Sequence, residues 1–284
     1  MAPPALRDLS RDASLLSLNT ATVREQWNLR QCIEGCVMHG IGGIAPWRDR
    51  LAECGVREAA RLIRDSGLRV TGLCRGGMYP AADAAGRRAA IDDNRRAVDE
   101  AAEIGSACLV IVSGGLPPGS RDLPGARSQV RDGLGATLEH ARRCGMPVAI
   151  EPLHPMYAAD RCCVNTLRQA NDLCEELGAG MGVAADVYHC WWDPELEREM
   201  ARAGRSGWLL AVHVCDWLVP TRDLLLDRGM MGDGVADVRR FRTLAEAAGY
   251  SGLYEVEIFS AGNWWRRDPH EVLRVCIERH RTVV

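Results

Sequence analysis

The sequence of 284 residues predicts an α/β fold, a (β/α)8 barrel formed as a single domain over residues 1–284. Short apolar runs alternate with longer segments of helical period, and this alternation occurs eight times without a linker or a change of composition. Eight strand–helix units in about 250 residues are what a closed barrel requires. The alternative is an open doubly wound sheet, but such sheets seldom contain eight regular units. No Gly-x-Gly-x-x-Gly sequence follows the first predicted strand.

The predicted strands are short apolar runs in which most consecutive residues are apolar. Continuous apolar runs are typical of strands that are buried on both faces of a parallel sheet, whereas alternating runs are typical of sheets with one face in water. In chain order, the predicted strands are 14–18, 41–45, 68–74, 108–112, 147–151, 182–186, 208–215 and 253–258.

The predicted helices are bounded by residues that commonly begin and end helices. Gly67, Gly105 and Gly145 end three of them, because glycine adopts the left-handed conformation of a helix C-terminus without strain. Asp193–Pro194 and Asp268–Pro269 begin two others, since Asp caps the first free N–H groups and Pro is tolerated in the first turn. The predicted helices are 27–38, 57–65, 83–104, 126–144, 166–177, one that begins at Asp193, 237–248 and 268–281.

Composition and charge exclude several classes of protein. The 47% of hydrophobic and 26% of charged residues are ordinary for a globular chain. No apolar run approaches the roughly 20 residues of a membrane-spanning helix. The first eight residues contain no apolar segment of signal-peptide type, so we expect a cytoplasmic protein without a membrane partner. The net charge of −3 argues against a nucleic-acid partner, which would require a basic face.

The basic residues are all arginine, and the chain contains no lysine. Schiff-base aldolases, pyridoxal-phosphate enzymes and P-loop nucleotide hydrolases need a lysine amine, so these chemistries are excluded. The 12 cysteines include no Cys-x-x-Cys pair, which argues against zinc ribbons and thioredoxin-like sites. We therefore expect these cysteines to act as small buried apolar residues.

Four successive predicted strands carry ionisable residues at or near their carboxyl ends, namely Glu151, Asp186, His213 and Glu257. The carboxyl ends of barrel strands form the site in this fold, so these side chains should converge. Three carboxylates with one imidazole suit Mn²⁺ best, with Mg²⁺ or Co²⁺ as alternatives, and a single divalent ion would remove their mutual repulsion. Glu255 faces the same side as Glu257, and we choose Glu257 because it lies nearer the strand end.

Other candidates follow the same strand ends in the predicted loops. His189 lies three residues after Asp186 and Asp216 three residues after His213, where each could contact a substrate or orient a ligand. His154 stands in a similar position after Glu151. The glycine-rich loop that begins at Arg228 predicts either an anion-binding site or a plain turn.

Tryptophans also follow the ends of strands six, seven and eight. Aromatic rings beside a polar site commonly stack on the apolar face of a sugar ring, and Trp217 is the tryptophan nearest the predicted ligands. The alternative is that these rings cap the barrel or lie in a subunit interface, which leaves a homo-oligomer open. The five tryptophans are Trp191, Trp192, Trp217, Trp264 and Trp265.

On these residues, the chain resembles the xylose isomerase-like superfamily of sugar isomerases and epimerases over essentially its whole length. The resemblance is strongest at Glu151-Pro152, Asp186-x-x-His189, His213-x-x-Asp216 and Glu257. It implies that Glu151, Asp186, His213 and Glu257 bind one divalent ion, usually manganese. It also implies that Glu151 and Glu257 form an acid–base pair and that His189 contacts the substrate.

The sequence departs from individual branches of this superfamily. Xylose isomerase has a lysine shortly after its first ligand glutamate, whereas this chain reads Glu151-Pro-Leu-His-Pro155, so a hydride shift of that form is not expected. Ketose epimerases have a substrate-binding arginine six residues after the ligand histidine, where this chain has Val219, with Arg222 nearby. This difference weakens the expectation of a ketohexose. The endonuclease IV branch needs more histidines than the seven present.

The predicted function is that of a metal-dependent isomerase or epimerase of a keto-sugar or related polyol ketone. Glu151 and Glu257 would exchange a carbon-bound proton through an enediolate held at the metal ion. The same site would serve a lyase or dehydratase acting on an inosose or a 3-keto-glycoside. A third reading is a non-catalytic barrel that binds sugar. In each case the expected partner is a small sugar or cyclitol.

Overall fold

The computed structural model describes residues 6–284. Residues 1–5 of the predicted domain lie outside the described residues. They include most of the first eight residues, for which we expect no signal peptide. The strands are β1 Leu16–Asn19, β2 Gly43–Ala45, β3 Arg69–Val70, β4 Leu73–Gly77, β5 Leu109–Val112, β6 Val148–Ile150, β7 Met181–Asp186, β8 Leu209–Val214, β9 Asp216–Trp217, β10 Arg228–Gly229 and β11 Tyr254–Val256. The α-helices are α1 Leu29–His39, α2 Arg48–Cys54, α3 Val56–Ser66, α4 Ala84–Glu103, α5 Leu123–Arg143, α6 Leu167–Leu177, α7 Val187–Cys190, α8 Leu196–Arg205, α9 Val238–Ala247 and α10 Pro269–Thr282.

The strands form a parallel sheet in the order β3-β2-β1-β11-β8-β7-β6-β5-β4, with helices following its strands. The third strand of the barrel consists of two segments, β3 and β4. β3 pairs with β2, and β4 pairs with β5. The backbone N–H of Cys74 in β4 donates to the carbonyl of Pro46 just after β2, at 2.9 Å, and this bond joins the two edges of the sheet. The (β/α)8 barrel is thereby confirmed. β9 and β10 pair antiparallel in a separate two-stranded sheet.

Several predicted element bounds are wrong, each for a specific structural reason. The predicted strand 68–74 is interrupted at Thr71, whose hydroxyl donates to Glu255 Oε2 at 2.6 Å inside the barrel. The helix predicted to begin at Asp193 begins at Leu196. Asp193 instead accepts a hydrogen bond from the N–H of Glu195 at 2.8 Å, in the turn before that helix. The short helices α2 and α7 were not predicted.

The buried apolar side chains form two groups, one on each side of the sheet. The larger group lies between the strands and the helices. The smaller one fills the barrel interior with compact residues, which are Cys74, Cys108, Val110, Ala149, Ala184 and Ala211.

The cysteines are mostly buried, as predicted. Two depart from that prediction, because Cys54 is partly exposed and Cys144 is exposed. Within residues 6–284, no helix combines the length and apolar character that crossing a lipid bilayer demands.

Candidate active site and metal centre

The alternation of side chains along the strands places the predicted ligands inside the barrel. Ala149 and Ala184 face the interior, and Glu151 and Asp186 stand two residues later on the same side of their strands. The same spacing relates Ala211 to His213. Small residues in the layer below leave room for a polar layer at the carboxyl end of the barrel. Local sequence therefore determines which strand residues form the site.

The four predicted ligands converge into one buried cluster. Glu151, Asp186, His213 and Glu257 each offer a ligand atom, and these atoms all lie within 4.8 Å of one another. The His213 Nδ1 atom lies 2.9 Å from Glu151 Oε1. Bonds of about 2.1 Å to one ion separate its ligand atoms by about 3 to 4.2 Å. The 4.8 Å limit is slightly wider than this range, so a small contraction of the cluster would fit one ion, and the oxygen-rich donor set suits a divalent cation.

Arg228 lies against this cluster and is itself buried, at 3% exposure. Its Nη1 donates to Asp186 Oδ2 at 2.9 Å and to Glu257 Oε2 at 3.1 Å. Burial by itself would raise the pKa of Asp186, but the Arg228 charge holds that pKa below its ordinary value. The pKa of Arg228 is raised in turn, since Asp186 and Glu257 outweigh its burial.

Burial and neighbouring charges perturb the other ionisable groups of the cluster. Burial, reinforced by the Glu151 carboxylate against the opposing effect of Arg228, raises the pKa of Glu257 to about 8. Burial opposes protonation of His213, but Glu255 and Glu151 raise its pKa well above the ordinary value. Its Nε2 atom is buried without a hydrogen-bond partner among the described residues. Closely packed acidic groups of this kind gain most from a bound cation.

His189 lies beside the cluster as a neutral imidazole. Burial lowers its pKa to about 3. The backbone N–H of His154 lies 3.2 Å from His189 Nδ1, and Arg228 Nη2 lies 3.1 Å from His189 Nε2. Both neighbours are donors, and the neutral ring accepts at only one of its two nitrogens. The Nε2 atom also lies 3.7 Å from Asp186 Oδ2.

Asn19 and Glu255 form a supporting layer that the sequence analysis did not identify as part of the site. Asn19 Nδ2 donates to Glu255 Oε1 at 2.7 Å and to Glu257 Oε1 at 3.0 Å. Asn19 Oδ1 accepts from the Trp47 indole N–H at 2.9 Å. Asn19 ends the first strand, so the position rule that selected Glu151, Asp186, His213 and Glu257, if extended to all polar residues, would also have selected this amide.

A cleft opens above the cluster. At its buried end lie Glu151, His189, Arg228 and Glu257. Its wall includes the aromatic residues Trp47, Tyr157 and Phe259. The aromatic wall thus comes from residues outside the predicted tryptophan group. Trp265, for example, donates from its indole N–H to the carbonyl of Ala21 at 2.8 Å.

Asp216, His154 and Trp217 are not among the residues that line this cleft. Asp216 accepts backbone hydrogen bonds from Gly232 and Ala236, both at 2.9 Å, and so fixes the loop that follows Arg228. Trp217 stacks on His154 with ring centroids 4.7 Å apart. Of the predicted loop residues, His189 and Arg228 therefore line the cleft. Asp216 instead holds the backbone of the loop after Arg228.

The fold and this cluster together define the class of protein. The family model described as xylose isomerase-like TIM barrel matches residues 33–276. The chain belongs to that family.

Solved structures of similar proteins extend this finding. Protein SMc04130 from Sinorhizobium meliloti 1021 is 60% identical, with 96% of this chain and 99% of that chain covered and a TM-score of 0.95. The IolI protein with a bound zinc atom is 20% identical, with 95% and 97% covered and a TM-score of 0.81. The 3-keto-D-glucoside 4-epimerase YcjR from E. coli is 21% identical, with 94% and 99% covered and a TM-score of 0.74. The similarity to IolI and to the epimerase, at 20% and 21% identity, shows that these proteins share the fold of this chain. A comparison with curated proteins finds no match.

Proposed function

We propose that this protein is a divalent-metal-dependent isomerase or epimerase of a keto-sugar or related polyol ketone. One observation supports this above the others. Glu151 and Glu257 belong to the same buried cluster and both line the same cleft, so a single substrate can face both carboxylates. A pair of carboxylates on one substrate is the arrangement that proton transfer between two positions requires.

The proposed cofactor is one divalent ion held by Glu151, Asp186, His213 and Glu257. Three carboxylates and one imidazole, without a thiolate, favour Mn²⁺, with Mg²⁺ or Co²⁺ as alternatives. The IolI structure, which contains a bound zinc atom, supports a divalent ion in this protein. When bound, such an ion polarises a substrate carbonyl and stabilises the negative charge that develops on its oxygen.

The protein's own residues have separate roles in the proposed proton transfer. One of the two carboxylates, Glu151 or Glu257, removes the proton from the carbon next to the carbonyl. Return of a proton to the opposite face of that carbon by the other carboxylate gives an epimer, and return to the adjacent carbon gives an isomer. The neutral His189 ring lines the cleft and is placed to contact a substrate oxygen.

The same deprotonated substrate could lose a neighbouring hydroxyl or glycoside group, which would make the enzyme a lyase of an inosose or a 3-keto-glycoside. The likeness to a 3-keto-D-glucoside 4-epimerase supports testing 3-keto-glycosides first. A non-catalytic sugar-binding barrel is the competing proposal, and it predicts binding without proton exchange.

The experiment is a solvent-exchange screen. Purified protein with MnCl₂ in deuterated water is incubated with keto-sugars, inososes and 3-keto-glycosides, and deuterium at carbon is followed by NMR and mass spectrometry. We expect deuterium in one substrate class, with the product identifying epimerisation, isomerisation or elimination.

The variants Glu151→Gln and Glu257→Gln should abolish this exchange at saturating Mn²⁺. Glu139→Gln, which changes an exposed carboxylate on α5, is the matched control and should exchange normally. Metal content is measured in every sample. Exchange that persists in both site variants would contradict the assignment of the two glutamates.

A further inference from the structure

Two arginines of the cleft wall differ from the other charged groups of the site. Arg75 lies in β4 and Arg161 in the loop that follows Pro155–Tyr157, and both line the cleft with Glu151 and Glu257. Both side chains are half-buried. Neither guanidinium forms an ion pair or a side-chain hydrogen bond with any residue that the structure describes. Arg228, by contrast, forms ion pairs with Asp186 and Glu257.

The environment of Arg75 is unfavourable to a positive charge. Burial, together with the nearby Arg161 charge, lowers the pKa of Arg75 below its ordinary value. Glu151 opposes this shift only in part, and Asp93 and Glu100 are already paired with Arg48 at 2.8 and 2.6 Å. Two unpaired guanidinium groups in one partly desolvated cleft repel each other. An anion placed between them would remove that repulsion.

The positions of these charges also restrict how a ligand lies in the cleft. The buried end holds Glu151 and Glu257, which repel an anion, whereas the wall holds Arg75 and Arg161. A substrate with an acidic group at one end is therefore oriented with that group at the wall and its uncharged carbons at the two carboxylates. Guanidinium groups bind carboxylates and phosphates through paired N–H donors, which adds directional control to the charge attraction.

We propose that Arg75 and Arg161 form an anion subsite, and that the substrate is a keto-sugar or polyol ketone with a carboxylate or a phosphate group. The inference rests on the proposed function for the nature of the substrate. The anion subsite itself depends only on the two guanidinium groups. Carboxylate and phosphate share this chemistry, and the experiment separates them.

The experiment measures binding of three probes to the full-length protein by isothermal titration calorimetry, at equal metal content in every sample. The probes are D-glucitol, D-glucitol 6-phosphate and D-gluconate. None contains a ketone, so binding is measured without turnover. We expect at least one charged probe to bind about tenfold or more tightly than D-glucitol, because a hydrogen bond to a charged group has about that effect. Whichever charged probe binds more tightly shows whether the subsite prefers a phosphate or a carboxylate.

The double variant Arg75→Gln/Arg161→Gln should reduce binding of the preferred anion to the level of D-glucitol. Arg64→Gln is the matched control, because Arg64 is an exposed arginine of α3 at the end of the barrel away from the cleft. It should bind as the wild type does. Equal binding of the anion by wild type and double variant would overturn the subsite. So would equal binding of all three probes by the wild type.

Two further measurements keep the test decisive. The single variants are assayed separately, with near-UV circular dichroism as a check of folding. In the wild type, added KCl should weaken binding of the charged probe and leave that of D-glucitol unchanged. Failure of the subsite is distinct from failure of the proposed function. Anion binding without any deuterium exchange would refute the enzyme, whereas exchange in a neutral ketose with no anion preference would refute the subsite.

Discussion

Arg228 determines the charge balance of the buried cluster. It donates to Asp186 and Glu257 and lies 3.1 Å from His189, so one guanidinium touches three groups of the site. The sequence suggested an anion site or a turn at this position. In the structure, the anions that Arg228 meets are the protein's own carboxylates. The same positive charge stabilises the cluster when no metal ion is present.

Replacing Arg228 by Met should destabilise the metal-free protein by about 3–5 kcal/mol, because two buried carboxylates lose their partner. Saturating MnCl₂ should restore a large part of that loss, since the ion neutralises the same groups. Urea unfolding with EDTA and with MnCl₂ measures both values. Arg64→Met serves as the control and should change neither. A loss that is the same with and without Mn²⁺ would contradict this account.

Asn19 orients Glu257 from the neighbouring strand through its 3.0 Å hydrogen bond. Asn19→Ala should weaken Mn²⁺ binding by about 10- to 100-fold, the usual effect of removing a group that orients a metal ligand. Calorimetric titration of Mn²⁺ gives the affinity directly. Asn263→Ala, at an exposed asparagine, should leave it unchanged. An Asn19→Ala protein with wild-type Mn²⁺ affinity would show that Glu257 needs no such support.

At the scale of the elements, close contact between neighbouring strands limits which residues they accept. Gly77 ends β4 with a φ of 110°. A Cβ atom at this position would lie 1.8 Å from the carbonyl oxygen of Val112 in β5. Only glycine therefore allows β4 to pair with β5 at this point. β4 also contains Arg75, so this contact helps to position the proposed anion subsite.

Gly77→Ala should lower the free energy of unfolding by about 2–4 kcal/mol, the sum of backbone strain and a steric clash. Gly67→Ala is the matched control. Gly67 also has a positive φ, of 73°, but an added Cβ there meets nothing within 4 Å. It should therefore lose only about 1 kcal/mol. Urea denaturation measures the difference, and equal losses in the two variants would exclude the clash.

At the scale of the whole molecule, the last helix closes the barrel against the first described residues and α9. His280 of α10 is fully buried, with both ring nitrogens unpartnered among the described residues. Burial, together with Arg242, Arg281 and Arg7, lowers its pKa to about 4, against a small opposing effect of Asp12. Tyr254 also faces this ring, with centroids 6.3 Å apart.

Because the unfolded chain binds a proton at His280 near pH 6.5 and the folded chain only near pH 4, stability should fall as the pH is lowered between these values. This residue accounts for up to about 3 kcal/mol of that fall, at 1.36 kcal/mol per pH unit. His280→Leu should flatten the profile by this amount relative to wild type. Urea unfolding of both proteins from pH 8 to pH 4 tests it. Parallel profiles would contradict the prediction.

The ligand cluster was predictable because its signals are local. Glu151, Asp186, His213 and Glu257 each follow an apolar strand at an inward position, and parallel strands of a barrel bring such positions to one end. The same local rule could have found Asn19. It could not settle the extent of strand 68–74, because the hydrogen bond from Thr71 to Glu255 joins residues far apart in the chain.

The sequence by itself determined the barrel and the four strand ends that converge in it, since hydrophobic periodicity and side-chain alternation act over a few residues. Only the tertiary structure decided which loop residues reach the cluster. In the tertiary structure, Arg228 points inward onto two carboxylates, and Asp216 accepts hydrogen bonds from the backbone of a loop. Arg75 and Arg161 line the cleft without an ion-pair partner among residues 6–284. Loop paths depend on packing between segments distant in the chain, which no local pattern records.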